Sequence, residues 1–132
     1  MNLRLLTASA VALLLAACGG QDEPAAETAQ VDAAEALHAL FDEHFERDLE
    51  MNPLRATFIG DYRYNDRLAN SYGAEYRAAE QAMDEEFLAR LLEIDREQLG
   101  YQDQLSYDIF RLNREQSLEG NQFPFHLVPV NQ

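Results

Sequence analysis

The chain has 132 residues and a formal charge of −14, from 24 acidic and ten basic side chains, and all ten basic residues are arginine. That length holds one domain at most, and so acidic a surface repels phosphate backbones and anionic lipid head groups, which argues against nucleic acid as a partner and against electrostatic membrane binding. The single cysteine rules out an internal disulfide and a zinc site built on paired thiolates.

Arg4, an apolar run from Leu5 to Leu15, and two alanines before Cys18 precede a polar, acidic segment. The layout predicts a secretory signal peptide over 1–17, because the apolar run falls well short of the ~20 residues a spanning helix needs. Leu15-Ala16-Ala17-Cys18 resembles the bacterial lipoprotein box. That resemblance implies cleavage before Cys18, diacylation of its thiol and a third acyl chain on the new N-terminus. Two or more acyl chains hold a protein on a membrane essentially permanently. Gly19 rather than Asp after the lipidated residue is similar to the signal that sorts enteric lipoproteins to the outer membrane, facing the periplasm.

Gly19 to Gln30 is rich in Gly, Pro, Ala and acids and has no large apolar side chain. Together with Cys18 and Val31 it predicts a flexible tether over 18–31, with a reach of roughly 20 Å. Residues 32–132 then predict an all-α piece with three longer helices and one short one. Asp32 is the expected N-cap of a helix to Met51, with Leu37, Leu40, Phe41, His44 and Phe45 on one stripe. Glu43 and Arg47 form an i,i+4 pair outside it. Asn52-Pro53 ends that helix, and Leu54 to Ile59 fits a short helix closed by Gly60.

Asp61 to Ser71 mixes aromatics and charges without periodicity and predicts a loop. The next helix is expected from Gly73 to Arg96, with Tyr76, Ala79, Met83, Phe87, Leu91 and Ile94 inward; Leu88 and Leu92 widen the stripe and suggest contacts on two sides. The acids at 84–86 and 93–97 read as solvated faces. A third long helix fits Gln102 to Glu119, with Leu105, Ile109 and Leu112 inward and Tyr107, Phe110 and Leu118 flanking. Phe123 to Val130 is apolar and carries two prolines, which exclude a helix and predict an extended tail. An apolar tail with no strand to pair with suggests the N-terminal piece of a larger protein.

Two groups of residues invite a chemical reading. His44 lies in the first helix's apolar stripe with Asp48 one turn on, and a carboxylate that orients an imidazole prepares a base or a metal ligand. No second ligand accompanies it at i,i+3 or i,i+4, so the spacing fits better a buried imidazole satisfied by the i+4 carboxylate. His38 is about 120° round the same helix and cannot share an ion with His44; His126 is isolated. The second group is the loop Asp61, Arg63, Tyr64, Asn65, Asp66 and Arg67. It lacks the alternating acids of a calcium loop, and its arginines oppose a cation. An internal ion-pair lattice fits it best, and a site where Arg63 or Arg67 grips a substrate carboxylate stays open. The chain has no His-Glu-x-x-His, Gly-x-Ser-x-Gly, phosphate loop or cysteine pair, so no catalytic, cofactor-binding or metal residue is expected in it.

From Leu40 onward the chain resembles the start of the bacterial family called domain of unknown function 885. The matching pieces are Phe41, Phe45 and Leu49; Asn52-Pro53 with Ala56-Thr57 and Gly60; Asp61-Tyr62-Arg63-Tyr64-Asn65-Asp66-Arg67-Leu68; Ile94-Asp95; Leu105-Ser106-Tyr107-Asp108; and His126 to Gln132. Gly60 to Leu68 is the most specific of them. Members are several times longer and are similar to helical zinc metallopeptidases of the gluzincin type, hydrolases whose His-Glu-x-x-His helix lies in the later half. The resemblance implies an N-terminal helical layer that helps wall a peptide cleft, with zinc only in the full-length protein. Two rival expectations are a complete small helical lipoprotein acting as a binding or assembly module, and a non-catalytic relative that keeps the scaffold without the metal.

Overall fold

The computed structural model describes residues 23–124 and 127–128. The signal segment, Cys18, the start of the tether, His126 and Val130 therefore lie outside the described residues. Four α-helices and no strand are found among the described residues: α1 (Glu23–Met51), α2 (Pro53–Phe58), α3 (Ala74–Leu92) and α4 (Tyr101–Gly120), with a 3-10 turn at Arg96–Gln98.

α1 starts at Glu23 rather than at Asp32, so most of the stretch expected as a tether is helical. Alanine and glutamate are strong helix formers, and Pro24 falls in the first turn, where its missing N–H costs nothing. At the other end, the Asn52-Pro53 break behaves as the sequence predicts. Asn52 leaves helical geometry and Pro53 opens α2. α2 then closes in a Schellman motif: Asp61 N–H donates to Ala56 C=O at 2.9 Å, Gly60 N–H donates to Thr57 C=O at 3.1 Å, and Gly60 takes φ +87°.

α3 is shorter than expected. The chain leaves helical form after Leu92, and the Asp95 carboxylate accepts the Glu97 N–H at 3.1 Å to cap the 3-10 turn. A residue that bonds its own local backbone competes with the helix ladder, which is why the apolar spacing alone carried the helix too far.

α3 runs antiparallel to α1: Tyr76 meets Asn52, Glu86 meets Arg47 and Arg90 meets Glu43. α4 returns parallel to α1, with His38 beside Asp103 and His44 beside Arg114. Leu37 and Leu40 of α1, Met83, Phe87 and Leu91 of α3, Leu99 and Tyr107 form the buried core between these three helices. Phe87 is capped from the surface by two guanidiniums, Arg47 and Arg90, each 5.0 Å from its ring centre. Their charges are matched crosswise, Arg47 to Glu86 at 2.8 Å and Arg90 to Glu43 at 2.6 Å. The i,i+4 pair Glu43–Arg47 expected within α1 is stretched to 3.9 Å by these cross-helix partners.

The orientation of α4 corrects the sequence expectation. Leu105, Ile109 and Leu112 are 39, 59 and 52% exposed, while Tyr107 is 4% exposed and Phe110 packs against the core. The inward row is Tyr107, Phe110, Arg114 and Ser117, also at helical spacing. Arg114 and Ser117 both bond the buried Asp84 of α3. Turning Leu105 and Ile109 inward would strand that carboxylate, and leaving a buried charge unpaired costs more than exposing two aliphatic side chains. Leu92 is also exposed rather than packed on a second neighbour. The described part of the tail, at Phe123, Leu127 and Val128, is exposed as well.

Candidate functional site

A polar seam runs through the bundle where α1, α3 and α4 meet. Asp84 is 1% exposed, although its place among the acids at 84–86 suggests a solvated face. One of its oxygens accepts from Arg114 Nη1 and the other from Ser117 Oγ. Arg114 Nη1 also donates to His44 Nε2 at 3.0 Å. A guanidinium can only donate, so this His44 ring is neutral and carries its proton on Nδ1. The ring stands edge-on to Phe87 and Phe110, at centroid distances of 5.0 and 4.9 Å. Burial lowers the His44 pKa below its ordinary 6.5, and the Arg114 charge lowers it further against the smaller upward pull of Asp48 and Asp84. Arg114 Nε is buried without a hydrogen-bond partner among the described residues.

Asp48 does not orient His44. Its carboxylate accepts from Asn52 Nδ2 at 2.9 Å and from Arg55. Asn52 in turn accepts the Tyr76 hydroxyl at 2.6 Å, fastening the α1–α2 junction to α3. Asp48, Asn52 and Arg55 border a cleft of about 370 Å³ that also takes in Ser71 and Glu80. Burial raises the Glu80 carboxyl above its usual range, and the charges of Asp84 and Asp48 raise it further. No nucleophile–base pair is bonded across the cleft among the described residues.

In the 61–67 loop, Asp61, Arg63, Tyr64 and Arg67 come together beside α1. Asp61 turns the backbone by accepting the Arg63 N–H at 3.1 Å and grips the Arg63 guanidinium through both oxygens. Arg63 also pairs with Glu46 at 2.8 Å, and Arg67 with Glu50 at 3.1 Å. The Arg63 and Arg67 guanidiniums both lie over the Tyr64 ring, 5.4 and 5.3 Å from its centre. Asn65 accepts from Thr57 Oγ1 at 2.7 Å. Asp66 is exposed and has no ion pair among the described residues. Hydrogen bonds from the Arg63 side chain and backbone hold the Asp61 pKa below the usual carboxylate value. A substrate carboxylate arriving here would have to displace Asp61 and Glu46 from Arg63, or Glu50 from Arg67.

A third feature is a groove of about 450 Å³ between α1 and α4, lined by Phe41, Asp42, Phe45, Ser106, Ile109 and Asn113. Ile109 belongs to the exposed row Leu105, Ile109 and Leu112 of α4.

The two described histidines do not fit zinc. His44 Nε2 faces a guanidinium, and His38 Nε2 sits at 2.9 Å from Asp103 on the outer side of the α1–α4 contact. Among the described residues, no three His, Cys, Asp or Glu side chains are grouped to hold a metal ion. The sequence alone did not single out Asp84, Arg114 or Ser117. The available signal was spacing: Asp84 lies three residues before Phe87 and one after Met83, on the edge of the apolar stripe.

The chain matches no family model, no curated protein and no solved structure.

Proposed function

We propose that this chain is the N-terminal helical layer of a lipid-anchored envelope protein of the domain of unknown function 885 type, non-catalytic by itself, whose α4 face docks onto further helical mass. The outward row of Leu105, Ile109 and Leu112 carries this reading. Sixteen large apolar side chains are exposed among the described residues against eight buried ones, and a contiguous apolar patch on a charged surface marks a face that is covered in use. Catalysis by a zinc peptidase would then depend on residues other than those described, because His44 and His38 face a guanidinium and a carboxylate.

The groove beside that row also favours a second reading, a complete small lipoprotein that binds or assembles with a partner through the same face. In both readings Cys18 carries the acyl chains and the membrane link, at the outer membrane facing the periplasm.

The test is hydrophobic-dye fluorescence on the chain lacking residues 1–17. Strong dye binding is expected, and it should fall when Leu105, Ile109 and Leu112 are changed to Gln while the helical melting curve is kept. A dye-silent monomer overturns the docking role. Labelled palmitate incorporated in the wild type but not in Cys18→Ser supports the anchor, and equal labelling of the two overturns it.

A further inference from the structure

We infer that the groove between α1 and α4 seats an amphipathic helix that carries basic side chains two turns apart beside its apolar stripe. This rests on the docking role proposed above and names the chemistry of what docks. The floor is apolar: Phe41 and the 44% exposed Phe45 line it from α1 and Ile109 and Phe110 from α4, and Ile109 shares an exposed row with Leu105 and Leu112 at i, i+4 and i+7. Such a row is what an amphipathic helix lies against, with anchors at the same spacing.

The charge on the two walls is unequal. On α4 the groove is lined by Ser106, Ile109, Phe110 and Asn113, none of them charged. On α1, Asp42 lines the groove, is exposed, and has no ion pair among the described residues. Glu35 lies two helical turns earlier on nearly the same meridian, about 10 Å along the axis, and is likewise exposed and without an ion pair among the described residues. Asp42 at the groove and Glu35 seven residues before it on α1 are therefore two carboxylates without ion pairs among the described residues, at a spacing that one partner helix can match with residues seven apart. A second copy of the chain is disfavoured as the occupant, because each copy has a net charge of −14 and would bring like charges together.

The experiment uses fluorescence anisotropy on the full chain in detergent micelles. The probes are two synthetic helical peptides of roughly 18 residues. Both carry Leu at i, i+4 and i+7; one has Arg at two flanking positions seven apart, and its twin has Glu there. The Arg peptide is expected to bind about tenfold or more tighter than the Glu peptide. Changing both Asp42 and Glu35 to Lys should reverse that preference, and Ile109→Asp should abolish binding of both. Both charge changes are at exposed positions, and retained helical circular dichroism checks the fold. Equal binding of the twins, an unchanged preference in the Lys variant, or binding of neither peptide overturns the inference. Concentration-dependent dimers without peptide binding assign the face to a second copy and also overturn it. If the dye signal depends on Leu105, Ile109 and Leu112 while the peptides are not distinguished, the docking face stands and only its basic partner falls.

Discussion

Arg114 on α4 donates to Asp84 on α3 at a point where the carboxylate is 1% exposed and the guanidinium side chain 20%. Removing one member of such a pair leaves the other charge buried and uncompensated, whereas replacing both with apolar groups of similar volume is close to neutral. Arg114→Met should therefore destabilise the fold by about 3–5 kcal/mol. The double change Asp84→Leu with Arg114→Met should recover most of that loss. Urea melts followed by circular dichroism check both. Near-additive losses in the double variant would show that the pair is not what orients α4.

The same seam makes stability depend on pH through His44. Its folded-state pKa is held below the ordinary 6.5 by burial and by Arg114. The groups that face it are Arg114 from α4, Asp84 from α3, Asp48 from α1 and Arg55 from α2. Above pH 6.5 the ring is neutral in both folded and unfolded chains and the fold keeps its full stability. As pH falls below 6.5 the unfolded chain takes up the proton first, so stability is lost until the folded-state pKa is passed. One proton limits the slope to about 1.4 kcal/mol per pH unit. Wild type minus His44→Gln, compared in urea at successive pH values, isolates this slope from that of Glu80, whose raised carboxyl acts in the opposite sense from pH 4.5 upward. A difference independent of pH between 7.5 and 5 would count against a neutral, buried imidazole.

What was readable in the sequence follows the range of the physics. Asn52-Pro53 and Gly60 work through backbone geometry within a few residues, and α2 forms where they predict it. The grouping of Asp61, Arg63 and Tyr64 is equally local. Their partners Glu46 and Glu50 lie a whole helix away, and no pattern in the loop names them. The face of α4 was misread because Leu105, Ile109 and Leu112 outweigh Tyr107 and Phe110 in apolar content. The deciding fact is the burial of Asp84, which exists only once α3 is packed. The start of α1 was misread in the other direction: a segment with no apolar face still has the helix propensity of its alanines and glutamates.

Tyr76 supplies a test of how α3 is held to the α1–α2 junction. Its hydroxyl donates to Asn52 Oδ1 at 2.6 Å, and Asn52 Nδ2 donates onward to Asp48. Tyr76→Phe keeps the ring and removes this one bond, which should cost about 1 kcal/mol. Burial raises the Tyr76 phenol pKa above its ordinary 10.0, so the wild-type hydroxyl stays a donor through neutral pH and the loss should be the same at pH 6 and pH 8. Thermal melts of the two proteins at both values measure it.

Gly60 tests backbone conformation apart from packing. It holds φ +87° in the motif that closes α2, and a methyl group placed on it would meet nothing within 4 Å. Any loss in Gly60→Ala is therefore the cost of the left-handed geometry alone, about 1–2 kcal/mol. Gly60→Asn should lose less, because its side chain tolerates that region. If alanine were harmless, the turn could close without a left-handed residue, and the Asp61–Arg63 clasp that follows it would not depend on glycine. Urea midpoints for the two variants, read beside wild type, separate these outcomes.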